Sequence, residues 1–233
     1  MLFDRGRYYV NFAAAFVRGR CSQGHPVALS DEQRGSALTE LSEDALLAIC
    51  DRGRAAGLEL HKFKRTIGLA RVRRVLGVLH AVVPTDLLDI GSGRGAALWP
   101  LLDEFPHLHV TAIDEDPIRS RDLQAVRLGG IARLTGGRMD ATKTDFPPGA
   151  FDVVTLLEVL EHIPAVSQAL AEALRVARRF VIISVPSQPD DNPQHVHLLD
   201  RCALQRLFAE RQVARVTFDY VPGHLIAVAN VTG

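Results

Sequence analysis

The sequence predicts an α/β protein, built as a doubly wound, mostly parallel seven-stranded sheet with an antiparallel last strand and preceded by an N-terminal helical cap. Three observations predict it. From residue 86 onward, short aliphatic runs alternate with stretches of helical period; a glycine-rich turn follows the first run; and residues 1–80 carry helical spacing without a strand pattern. Strands separated by single helices need crossover connections, and therefore parallel neighbours covered on both faces.

In the cap, Ser30-Asp-Glu-Gln and Ser42-Glu-Asp-Ala each supply an N-cap with acidic residues in the first turn, the second leading into Leu46, Leu47 and Ile49. Leu69, Val72, Val75, Leu76 and Leu79 recur mostly at three- and four-residue steps, which predicts a core-facing helix within residues 58–83 that Pro84 ends. Strands are then predicted at 86–90, 109–114, 131–134, 151–157 and 179–185, with a closing pair at 213–221 and 224–231 around Pro222-Gly223. Helices are predicted at 96–105, 117–128, 165–177 and 200–210. The expected division is a cap over residues 1–80 and a ligand-binding body over 81–233.

Composition narrows the function classes. At 233 residues, 47% hydrophobic and 23% charged, the chain suits a soluble globular fold and not a disordered one. No apolar run is long enough for a membrane helix. The apolar stretch from Tyr8 to Val17 is interrupted by Asn11 and lacks a cleavage site, so no secretory signal is expected. Cys21, Cys50 and Cys202 are odd in number and widely spaced, which predicts a reducing, cytoplasmic setting without disulfides or a zinc-thiolate site. The formal charge of zero hides a split, because residues 1–80 carry an excess of five positive charges and residues 81–233 an equal excess of negative ones.

The first predicted strand runs into Asp89-Ile-Gly-Ser-Gly-Arg-Gly95, which opens a helix. Such a turn lets a ligand approach the backbone at a helix N-terminus. A dinucleotide is disfavoured: Asp89 would repel a pyrophosphate, and the spacing Gly91-x-Gly93-x-Gly95 is not G-x-G-x-x-G. The second strand ends in Asp114, followed by Glu115 and Asp116, and a carboxylate at that tip suits the two hydroxyls of a ribose. With Met139-Asp140-Ala141 and Phe151-Asp-Val-Val, these residues resemble, over roughly residues 86–231, the class I S-adenosylmethionine-dependent methyltransferases. The resemblance implies a Rossmann-like fold and S-adenosylmethionine as cofactor. It assigns Asp89, Gly91, Ser92 and Gly93 to the methionine part, Asp114 to the ribose, Asp140 and Ala141 to the adenine edge, and Glu115 and Glu158 to the cofactor's vicinity.

Glu158-Val-Leu-Glu161-His162 follows the fourth strand, at the carboxyl edge where open α/β sheets bind ligands. Offsets of 0, 3 and 4 place two carboxylates and an imidazole on one face of a helical segment, a donor set suited to a divalent ion. A later loop carries His195 and His197, whose side chains point apart, so one of them is expected to join the cluster. The segment resembles Hen1-like enzymes, which methylate the terminal ribose of small RNAs, and ubiquinone-pathway O-methyltransferases. By the first resemblance Glu158, Glu161, His162 and His197 would hold a metal. Metal-free members of the wider family carry a similar L-E-H turn, which implies instead that His162, with Glu161 and His197 as further candidate catalytic residues, serves as a base or orients the acceptor.

Lys62, Lys64, Arg65, Arg71, Arg73 and Arg74 form a basic stripe with Phe63 interleaved. It could bind RNA phosphates, or pair with the acidic body. The leading expectation is transfer of a methyl group to oxygen or nitrogen of a small molecule, with RNA ribose 2'-O-methylation as the alternative. A non-catalytic cofactor-binding module is the lesser one.

Overall fold

In a computed structural model of the chain, the described residues are 3–189 and 191–232. Asp190, in the predicted histidine loop, lies outside them. Seven strands, β1 (Asp86–Ile90), β2 (His109–Asp114), β3 (Leu134–Arg138), β4 (Phe151–Leu157), β5 (Ala177–Pro186), β6 (Arg215–Val221) and β7 (His224–Asn230), form one sheet. Their order is β3-β2-β1-β4-β5-β7-β6. The first five strands run parallel and β7 runs antiparallel to both its neighbours, which is the predicted architecture. Strand order reverses between β1 and β4, and at such a switch point the crossovers diverge to opposite faces and open a crevice at the carboxyl ends.

Helices α5 (Leu98–Glu104), α6 (Pro117–Leu128), α7 (Val166–Val176) and α8 (Arg201–Glu210) fall within a few residues of their predicted bounds. Each of α6 and α8 starts where an aspartate side chain caps it, Asp116 accepting from the Ile118 N–H and Asp200 from the Ala203 N–H. Strand β3 is displaced from the predicted 131–134, because its interior is Gly136-Gly137, residues of poor strand propensity that only the ladder to β2 holds extended.

In the N-terminal region, α2 (Asp31–Gly35) has a reciprocal capping box between Ser30 and Gln33, and α3 (Glu43–Ala55) is capped by Ser42. The long helix predicted within 58–83 is shorter. A single 3₁₀ turn, His61–Phe63, precedes α4 (Ala70–Val82), since Phe63 leaves the helical path to be buried against Phe16 and Trp99, with ring centroids 5.4 and 5.0 Å away. Helix α1 (Val10–Ser22) has no counterpart among the predicted elements. Its residues Phe12, Ala13, Ala14, Ala15, Phe16 and Val17 are all buried, so no polar face marks its period. It packs on α6 and α3, and side chains from α1, α3, α4 and the sheet share one apolar cluster. No described helix is long and apolar enough to cross a membrane.

Half of the basic stripe is paired with carboxylates of the protein. Lys62 pairs with Asp122 in a nearly buried ion pair, Arg65 reaches Asp103 at 3.3 Å and lies over the Tyr9 ring, and Arg74 pairs with Asp219. Lys64 and Arg73 are exposed, and Arg71 faces the cleft described next.

Candidate functional site

Two joined chambers open at the carboxyl ends of β1 and β4. The larger, about 760 Å³, runs from Ile113, Asp114 and Glu115 past Met139, Asp140 and Ala141 to His162, Pro164 and Gln194. The smaller, about 190 Å³, is bounded by Arg71 and Val75 of α4, by Asp89, Ser92 and Arg94 of the glycine turn, and by Glu158 and Ser184. Together they have the size of a site for a nucleoside-bearing ligand and part of a second molecule.

The turn after β1 is fixed by backbone geometry. Gly91 has φ +69°, and a Cβ there would lie 2.6 Å from a methyl of Val159, so the residue must be glycine for two independent reasons. The Gly91 N–H donates to the Ile113 carbonyl at 2.8 Å. One turn further, the Gly93 N–H donates to Oδ2 of Asp114 at 2.8 Å while the Asp116 N–H donates to Oδ1 at 3.0 Å. These bonds lock the carboxylate at the strand tip and tie the first two strand ends together.

Asp89 is buried, and its Oδ1 accepts from the Thr155 hydroxyl at 2.7 Å. Burial pushes its carboxyl up to about 6, against hydrogen bonds from Thr155 and Ser92 that lower it, with a further push from the Asp114 charge. A buried carboxylate at the wall of a cleft suits a cation, whose arrival would offset the cost of keeping the charge. Asp140 turns its Oδ1 back onto the Thr142 N–H and hydroxyl at 2.7 and 2.8 Å, closing the loop on the chamber's far side. All the residues expected to touch cofactor, Asp89, Gly91, Ser92, Gly93, Asp114, Glu115, Asp140, Ala141 and Glu158, border one chamber or the other.

The histidine and carboxylate cluster is arranged differently from expectation. After β4 the chain makes a single 3₁₀ turn, Leu160–His162, and not a full helical face. Glu161, His162 and His195 converge, each offering a ligand atom within 4.8 Å of the others', and the two imidazoles meet edge to face. His197 is not in this group. The Val196 and His197 N–H groups both bond the Glu161 carbonyl, at 2.8 and 3.3 Å, and that backbone tie carries the His197 ring to the Pro164 carbonyl, 3.3 Å from its Nε2. Glu158 is outside the group too. Its Oε1 accepts from the Ser184 hydroxyl at 2.6 Å and its Oε2 lies 2.9 Å from Nε2 of His224. His162 lines the larger chamber, its Nδ1 3.1 Å from the Gln194 carbonyl. That carbonyl can only accept, so Nδ1 carries the hydrogen and Nε2 is the available basic atom.

Arg71, Arg94, Ser184 and His224 were not expected at the site. Arg94 occupies a variable position of the glycine motif and His224 begins a strand, so neither stands out in one dimension. Arg71 was visible only as part of the basic stripe.

An open doubly wound sheet with its cleft at the switch point, a glycine turn and an acidic second strand tip is the arrangement in which doubly wound folds bind nucleoside-containing ligands at the strand ends. Residues 88–179 match the family model of a methyltransferase domain, and the sheet has the Rossmann-like fold of solved methyltransferases. It is 36% identical over 110 residues to nocamycin O-methyltransferase of Saccharothrix syringae, an alignment covering 44% of this chain and 39% of that protein. Among solved structures it is similar to magnesium protoporphyrin IX methyltransferase of Synechocystis PCC 6803 with bound SAH (16% identity, TM-score 0.53, 69% and 81% of the two chains). It is also similar to the methyltransferase domain of a bacterial Hen1 protein (19%, TM-score 0.55, 69% and 97%). The chain spans 31% and 39% of the length of the first two curated relatives it matches.

Proposed function

We propose that the chain is an S-adenosylmethionine-dependent methyltransferase that moves a methyl group to an oxygen or nitrogen of a small-molecule acceptor, working in the cytoplasm. The observation that carries this reading is the charge layout of the joined chambers. The small one is lined by the guanidinium groups of Arg71 and Arg94 and by the carboxylates of Asp89 and Glu158, charges of both signs such as an amino-acid headgroup requires. The large one begins at Asp114, whose carboxylate is fixed by the Gly93 and Asp116 N–H groups and would accept from a ribose diol. When bound, the cofactor supplies an electrophilic methyl on a positive sulfonium. The protein's part is then to position: Asp89 and Asp114 hold opposite ends of the ligand, and the acceptor occupies the remaining space beneath His162 and Gln194. Holding two reactants in line accounts for about 7–11 kcal/mol in favourable cases. His162 Nε2 is the basic atom lining the acceptor space, placed to carry away the proton released on transfer.

A small acceptor is favoured over RNA because half of the basic stripe, Lys62, Arg65 and Arg74, already neutralises Asp122, Asp103 and Asp219. Calorimetric titration with S-adenosylmethionine is expected to show one site, and titration with NAD none. Absence of S-adenosylmethionine binding would retire the reading. Transfer to a small neutral acceptor is expected to change little with salt, whereas RNA methylation would fall steeply.

The convergence of Glu161, His162 and His195 favours a second reading, in which these three side chains hold a divalent ion beside the acceptor. The two readings compete for one atom, since His162 Nε2 cannot bind a metal and accept a proton together. Under the metal reading, excess chelator abolishes transfer and a divalent ion restores it; undiminished activity in chelator removes it.

A further inference from the structure

Glu158 is, among the described residues, the one side chain shared by both chambers, because the other two shared positions, Gly91 and Gly93, have none. It therefore stands where the methionine end of the cofactor cleft meets the acceptor space. Its backbone is in the left-handed region, at φ +61°, a conformation that costs a non-glycine residue about 1–3 kcal/mol and persists only where surroundings enforce it. The enforcement comes from β5 and β7. The Glu158 N–H donates to the Ser184 carbonyl at 2.9 Å, the Ser184 hydroxyl donates to Oε1, and His224, opposite Pro186 in the β5–β7 ladder, meets Oε2. On its other side the His224 ring places Nδ1 3.1 Å from the Pro222 carbonyl. Nδ1 carries a hydrogen to face that carbonyl, and the Nε2 side of the ring meets the Glu158 carboxylate as an ion pair when the ring is protonated. The result is then a carboxylate held by two donors, with about half of its four lone-pair directions left unused.

We propose that Glu158 is the residue that receives the hydrogen bond of the methyl acceptor, orienting an O–H or N–H group at the junction of the chambers, and that His224 and Ser184 are its positioning residues. This rests on the methyltransferase reading and deepens it. A carboxylate at that point repels another carboxylate, so the acceptor class is hydroxyl- or amine-bearing molecules, and free carboxylates are poor acceptors.

The test uses two probes and needs no identified acceptor. S-Adenosylhomocysteine has no group at the transfer position, whereas sinefungin carries a primary amine in place of the methyl, an N–H donor at the junction of the chambers that a neighbouring carboxylate can accept. Calorimetry on the full chain gives the ratio of the two affinities, which is insensitive to a general loss of folded protein. The wild type is expected to prefer sinefungin, and Glu158→Gln to lower the ratio about tenfold, the value of a hydrogen bond to a charged group. His224→Leu should lower it severalfold, while His224→Gln, which keeps a donor toward Glu158, should restore most of it. Equal losses for both probes, or an unchanged ratio in Glu158→Gln, overturn the assignment and leave the methyltransferase reading standing. A wild-type chain that binds neither probe overturns both.

Discussion

Asp89→Asn is expected to make the protein more stable and a worse ligand binder at once. The wild-type native state keeps the Asp89 proton up to about pH 6, while an unfolded aspartate loses it near pH 4. Between those values the native state binds the extra proton, so wild-type stability falls as pH rises through that window and stays lowered above it. A shift of about two units corresponds to about 3 kcal/mol, and asparagine, carrying no charge, is spared it. Its amide N–H gains no obvious acceptor in the Thr155 environment, so a net gain of about 1–2 kcal/mol is expected at pH 7.5, or about 2–8 °C in unfolding temperature. The gap should close as pH is lowered toward 4. Over the same range S-adenosylmethionine affinity should drop about 10- to 100-fold, because the cationic ligand loses a buried partner. Thermal melts at pH 4, 6 and 7.5 with parallel calorimetry check both halves. A melting difference independent of pH would mean that the carboxylate is not held at its buried position.

The second large effect concerns the contact of α1 with α6. A Cβ at Gly19 would lie 1.8 Å from the Ala125 carbonyl oxygen, and one at Gly129 would lie 1.7 Å from the Ala15 carbonyl oxygen. Both obstacles are backbone, so no side chain can rotate away. Gly19→Ala and Gly129→Ala are each expected to cost about 3 kcal/mol or more, at the upper end of overpacking penalties, lowering the unfolding midpoint by about 6–12 °C. The double variant should cost less than the two losses combined, since a helix already displaced by the first methyl has room for the second. Circular-dichroism melts of the three variants measure this directly, and a wild-type midpoint in either single variant would show that the helices do not cross at these atoms.

How much of this could be read from one dimension depended on whether the cause was local. The turn Asp89 to Gly95 and the acid at Asp114 are legible because their chemistry is written in adjacent residues: a positive φ needs glycine, and a carboxylate at a strand tip accepts the N–H groups of the neighbouring turns. Helices α6 and α8 are legible through their aspartate caps. Strand β3 is not, because a Gly-Gly pair has no intrinsic reason to extend and the ladder to β2 supplies it. The metal-type cluster was half legible. The E-x-x-E-H spacing found Glu161 and His162, yet the 3₁₀ turn sends Glu158 to a different partner, and backbone bonds from the loop to the Glu161 carbonyl select His195 over His197. His224 was hidden because its role comes from register across β5 and β7, a relation between residues about forty positions apart.

The unbroken apolar cluster running from α1 into the sheet has a consequence for modularity. A segment that selects the acceptor is often pictured as a cassette, exchangeable between relatives while the cofactor half stays constant. Here Phe12, Phe16 and Phe63 interlock with Trp99 of α5, and Gly19 rests directly on the backbone of α6. Exchange would leave α6 and α5 bare, so new acceptor preferences in this lineage should arise from point changes at chamber-lining positions outside that cluster, such as Arg71 and Gln194, which can vary without disturbing the joint.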